Sequence, residues 1–180
     1  MGSAVELNQF LTKVEKRAYF MALQEVKNGE DALDIVQDVM MSLATKYAAR
    51  PAEQWAPLFY RMLRNRTMDY HRKGAVRRRW FGWLDRAETD AHEAIERAPA
   101  PAMAEPDQEH LRDEFTDELQ QALGALPDRQ RQAFMLRSWE GLDVKETAAA
   151  MGCSTGSVKT HYSRAVRSLR QRLQESYGEG

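Results

Sequence analysis

Asp34 and Asp38, one helical turn apart, are the residues whose type and spacing most directly offer chemistry. Paired carboxylates can work as general acid and base or share a divalent cation. Nothing converges with them, however. The four histidines, His71, His92, His110 and His161, have no ligand spacing, and Cys153 is the single cysteine. One cysteine excludes a disulfide framework and any multi-cysteine zinc or iron–sulfur cage. No Gly-rich phosphate loop is present either. The sequence therefore predicts no enzyme, no metal, no cofactor and no small-molecule substrate. Asp34 and Asp38, with Gln37 and Thr45 beside them, read as a solvated or a docking face.

A second chemistry is carried by charge. The net charge of −1 over 180 residues hides strong segregation. Residues 1–60 carry −2, 61–84 carry +7, 85–118 carry −9 and 119–180 carry +3. Two basic islands flank an acidic bridge, an asymmetry that concerns partners and not fold. On the third predicted helix Arg61, Arg64, Asn65, Met68 and Arg72 are expected to share one side, close to Trp55, Phe59, Tyr60 and Tyr70. Interleaved basic and aromatic groups suit single-stranded nucleic acid, where bases stack and phosphates are neutralised. The same pattern also describes core aromatics beside solvated arginines.

The elements that must position these groups are helical. Leu7, Phe10, Leu11, Val14, Ala18, Met21, Ala22 and Val26 recur near a period of 3.6, and Asn28-Gly29 supplies a stop. A second helix opens around Asp31, with Ala32, Ile35, Val36, Val39, Met40, Leu43 and Tyr47 on its apolar stripe. Arg50-Pro51 breaks it. A third runs from Trp55-Ala56-Pro57 to about Lys73, where Gly74 is expected to end it. Periodicity then fails until Asp107, across the Pro/Ala-rich stretch 98–106, which reads as an extended linker between independent modules. The predicted fold is all-α: an N-terminal helical bundle (1–76), an acidic flexible linker (77–109) and a second small helical domain (110–180).

The second domain has the grammar of a helix-turn-helix. Val144, Thr147, Ala148 and Met151 give a short helix its inner face, Gly152 makes the turn, and Ser154 or Thr155 caps the next helix. Val158, Tyr162, Ala165, Val166, Leu169 and Leu173 form that helix's buried stripe. Lys159, Thr160, Ser163, Arg164 and Arg167 fall on the opposite side, and no acidic residue occurs from Ser154 to Gln174. Such side chains read base edges or hold phosphates in a major groove.

Taken together the modules resemble the extracytoplasmic-function (ECF) sigma factors of bacterial RNA polymerase. Glu30 through Val39 is similar to their core-polymerase-binding helix, and Trp55 through Arg72 to their promoter-melting segment. Leu126 through Phe134, Glu140-Gly141-Leu142 and Gly152 through Leu169 resemble their second conserved domain. The match spans about residues 8–73 and 110–173. It implies that Asp34, Gln37 and Asp38 dock on core polymerase. Arg61, Arg64, Asn65 and Arg72 would face the minus-ten element, with Asn65 and the 49–55 loop holding a flipped base. Lys159, Thr160, Ser163, Arg164 and Arg167 would engage the minus-thirty-five element. The implied partners are core RNA polymerase, promoter DNA and an anti-sigma factor. The acidic linker would thread polymerase channels as a nucleic-acid mimic.

Three features depart from the pattern. Leu33 stands where many relatives carry an acid, Ser163 sits at a recognition position that takes larger side chains elsewhere, and Arg77 through Leu84 is a basic aromatic insertion. The N-terminus has neither a secretory signal nor a myristoylation motif, and no stretch is apolar enough to span a bilayer. A soluble, cytoplasmic chain without membrane insertion is expected. The rival reading is a stand-alone helix-turn-helix regulator with an N-terminal sensing or dimerisation bundle.

Overall fold

A computed structural model of the chain describes residues 4–81 and 117–178. All described elements are helices, as the periodicity predicts. The calls on residues 82–116, namely the acidic linker, Trp83-Leu84 of the insertion and the first apolar residues of the second module, lie outside them.

Helix α1 (Ala4–Val26) buries Leu7, Val14, Ala18, Met21, Ala22 and Val26, which recur on one face. It ends one residue earlier than the Asn-Gly signal suggests. Lys27, and not Asn28 or Gly29, takes the left-handed conformation (φ 57°), and its N–H bonds the Leu23 carbonyl at 2.9 Å. Asn28 is extended and accepts from Asp31 N with its side chain, capping α2 (Gly29–Lys46). Glu30 and Asp31 in the first turn suit the positive end of the helix dipole. Ala32, Val36, Val39 and Leu43 anchor α2.

After Pro51 a short 3-10 turn, Ala52–Gln54, leads into α3 (Trp55–Phe81). Trp55, Phe59, Tyr60, Leu63 and Thr67 are its buried face. Phe10 of α1 meets Phe59 edge-on at 6.0 Å and Trp55 at 5.9 Å, so these aromatics are core. The helix runs through Gly74, where the sequence reading ends it. A Cβ at Gly74 would meet nothing within 4 Å, so no packing requirement dictates glycine there. Mid-helix glycine costs only about 1 kcal/mol against alanine, too little to stop a helix already anchored.

The second module comprises α4 (Asp117–Gly124), α5 (Asp128–Ser138), α6 (Val144–Met151) and α7 (Thr155–Gly178). Helix α7 packs across the other three through Val158, Ala165 and Leu169. The guanidinium of Arg131 is buried because it satisfies backbone groups. It donates to the Leu126 carbonyl at 3.1 Å and pairs with Asp128. A buried charge is tolerated when it is bonded in this way.

The modules are not independent. Helix α3 lies along α6, α1 touches α5, and the buried apolar residues of both form one cluster. Polar bonds cross the seam. Arg17 Nε lies 3.1 Å from Glu140 Oε1, Arg17 Nη1 donates to the Trp139 carbonyl at 3.2 Å, and Gln132 Nε2 donates to Glu25. The extended Pro/Ala composition of 98–106 suggested separation, but linker composition does not weigh what the module surfaces bury.

Candidate nucleic-acid interface

The docking face is built by what α2 buries. Its stripe points inward, leaving Leu33, Asp34, Gln37, Asp38, Met41 and Thr45 exposed along one side. Leu33 is 36% and Met41 67% exposed, unusual for large apolar residues and flanking the carboxylates. Asp38 lies 4.0 Å from Arg66, a long ion pair in solvent that leaves its charge available. Among the described residues no three His, Cys, Asp or Glu side chains group as a metal site. The aspartates therefore form a charged, partly apolar strip.

The strip is tied to α3. Tyr70 Oη donates to Asp31 Oδ2 at 2.8 Å. That bond, together with burial and the nearby negative charge, raises the tyrosine hydroxyl's pKa above 10.0.

On α3, successive residues turn by about 100°. That brings Arg61, Asn65, Met68 and Arg72 onto one exposed side, as expected, with Met68 42% exposed among them. Arg64 departs from the group. It faces the α6 side with Tyr60 and Thr67 and is half-buried, its guanidinium against the helix-turn-helix turn. A methyl at Gly152 would come within 2.8 Å of Arg64 Nη1. The expected aromatic stacking platform is also absent from this side, because Trp55, Phe59 and Tyr60 are buried. A local wheel puts Arg64 at the margin of the basic face; only the second module's position moves it into the seam.

The helix-turn-helix is set by local bonds. Asp143 and Glu146 form a reciprocal capping box on α6, each side chain accepting from the other's backbone N–H at 2.8 Å. Gly152 ends α6 in the left-handed conformation (φ 61°), and Arg129 donates to the Met151 carbonyl at 2.6 Å. Ser154 Oγ then accepts from Ser157 N at 3.1 Å to start α7.

Along α7, Lys159, Thr160, Ser163, Arg164 and Arg167 are all exposed, although Thr160 Oγ1 bonds its own helix at Gly156 O. Beside them Tyr162 stacks on Phe134 (centroids 6.2 Å apart, 15° between planes) with Arg137 5.8 Å from its ring centroid. Its hydroxyl is 3.2 Å from Ser138 Oγ. This clamp fixes the roll of α7 relative to α5. An open groove continues from Ser163 and Arg167 to Arg170 and Gln174. Arg170 extends the basic face by one turn, a residue the sequence reading missed although its i+3 spacing from Arg167 was visible.

Three comparisons bear on this arrangement. The sequence profile of the family described as Sigma-70, region 4 matches residues 116–169, the span of α4 to most of α7. The chain is 31% identical over 164 residues to RNA polymerase sigma factor SigV of Bacillus subtilis, covering 91% of this chain and 88% of that protein. It is 26% identical to the RNA polymerase sigma-E factor of Streptomyces coelicolor over 96% of this chain and 89% of that one. In fold it is similar to the sigma factor RpoE of Bartonella quintana, solved with the anti-sigma factor NepR. There the TM-score is 0.55 at 24% identity, over 93% of this chain and 96% of the other. The two helical modules, the carboxylate strip and the helix-turn-helix thus meet a relative alike over nearly its whole length, and the chain belongs to the ECF sigma factors of RNA polymerase.

Proposed function

We propose that the chain is a dissociable promoter-specificity subunit that binds core RNA polymerase and starts transcription of a stress or envelope regulon under anti-sigma control. Asp34, Gln37 and Asp38, with Leu33 and Met41 adding apolar contact, dock on core polymerase. Arg61, Asn65 and Arg72 face the minus-ten element, and Arg64 joins them when the second module moves away. Extracting a base costs a few kcal/mol, which phosphate contacts along this basic face offset. Lys159, Thr160, Ser163, Arg164 and Arg167 engage the minus-thirty-five element in a major groove.

In this reading residues 1–76 are the polymerase-docking and minus-ten module, 77–109 the linker and 110–180 the minus-thirty-five module. No chemistry belongs to the chain itself; bond formation is the polymerase's. No described helix is long and apolar enough to cross a membrane, and a polymerase subunit works in the cytoplasm. Regulation by an anti-sigma factor is supported by the relative solved in such a complex. A stand-alone helix-turn-helix regulator is not favoured, because it needs neither the carboxylate strip nor the exposed Arg61, Asn65 and Arg72.

The observation that carries the proposal is the coexistence of that strip on α2 with two separate exposed basic faces on α3 and α7. Run-off transcription tests it directly. Purified core polymerase plus this chain should yield a discrete transcript from promoters of its own genome, and core alone should not. Absence of any transcript would overturn the proposal.

A further inference from the structure

We propose that the seam between the modules is a clasp, closed in the free chain, which withholds Arg64 from nucleic acid and is fastened by the Arg17–Glu140 ion pair. The inference concerns regulation of the site described above and rests on that reading. The minus-ten and minus-thirty-five elements lie about 25 base pairs apart, roughly 85 Å along a duplex. In the closed chain α6 lies against α3, and α7 begins four residues after Met151. At about 1.5 Å per residue the 24 residues of α7 span only about 36 Å. The closed chain therefore cannot present its two basic faces to both elements. Arg64, half-buried over Gly152, is the group that must leave the seam.

The seam is built to open. It is partly polar, as transient interfaces are. Met21, Ala22, Leu63, Leu136, Ala150 and Met151 supply its apolar part. Its most shielded polar contact is the fastening. The side chains of Arg17 and Glu140 are only 11% and 6% exposed, and Arg17 also holds the Trp139 and Lys13 carbonyls. An ion pair so shielded is little screened by salt, and neutralising one partner strands the other charge in the seam. Opening restores its water, so the variant shifts toward the open form by on the order of a hundredfold. Ligands that need the open form then bind more tightly in proportion to its population.

The test uses the full chain with Cys153→Ser, Lys13→Cys and Lys145→Cys, labelled for energy transfer between α1 and α6. High transfer is expected in this background, low transfer with Glu140→Gln, and recovery in the charge-swapped pair Arg17→Glu with Glu140→Arg. At limiting concentration with core polymerase, Glu140→Gln should raise run-off yield at least severalfold, and the swap should return it to the starting level. Low transfer in the background, high transfer in Glu140→Gln, or opening without a gain in transcript would each overturn the clasp. If Glu140→Gln does not fold, Arg17→Met in the same assay carries the same outcomes. Absence of transcript from every chain would overturn the sigma reading instead, while energy transfer would still decide whether the clasp exists.

Discussion

The hydroxyl of Tyr70 on α3 donates to Oδ2 of Asp31 on α2 at 2.8 Å, joining the helix with the minus-ten face to the helix with the docking strip. The bond holds only while the tyrosine keeps its proton, since a phenolate facing a carboxylate repels it. The folded pKa is raised above 10.0, chiefly by this bond. Its contribution to stability is therefore fully present below the unfolded value and is lost as pH rises through the folded one. Tyr70→Phe should be less stable than the parent by about 1 kcal/mol at pH 8. That gap should shrink above pH 10, measured by urea unfolding; a gap constant to pH 11 would show that the hydroxyl bond is not its source.

The docking strip predicts a loss of polymerase and not of fold. Asp34→Lys with Asp38→Lys replaces two exposed carboxylates that anchor no core residue. Circular dichroism should be unchanged while co-purification with core polymerase disappears. Undiminished recovery of core would remove Asp34 and Asp38 from the interface.

Arg164 lies among the exposed polar residues of α7, clear of the buried stripe. If it reads a base edge bidentately, Arg164→Ala weakens binding at one upstream base position by about 1–3 kcal/mol and relaxes preference there. Affinity measurements across a set of upstream-element variants will decide. A loss equal for every sequence would make Arg164 a phosphate contact.

The capping box carries a stability prediction for the helix-turn-helix. Asp143→Ala removes the acceptor for Glu146 N and should cost about 1 kcal/mol. Hydrogen exchange should show the loss first in the amides of α6. If α6 protection is unaffected, the box adds nothing to its stability.

Much of this architecture could be read along the chain, because helices announce themselves by local periodicity and caps. The starts of α1, α3 and α6, the turn at Gly152 and the exposed sets on α2 and α7 follow from spacing alone. Where the reading failed, a nonlocal effect prevailed. Gly74 was given the power to stop a helix that tertiary anchoring at Trp55, Phe59 and Leu63 carries past it. Asn28 was read as part of a stop, whereas it caps the following helix and leaves the left-handed turn to Lys27. Arg64 was grouped with Arg61, but it turns toward a module whose nearest contact is some ninety residues away in sequence. The seam itself was invisible: Arg17 meets Trp139 across 122 positions and Gln132 meets Glu25 across 107. No window of helical spacing reaches that far.

The unbroken course of α3 past Gly74 has a practical corollary for dissecting the molecule. A fragment ending at residue 76 would cut a rod some 40 Å long inside its last turns. It would fray the end nearest Arg72 and so weaken strand-opening for reasons unrelated to the missing module. A cut placed beyond Phe81 keeps the rod whole, and only such a fragment compares fairly with the intact chain.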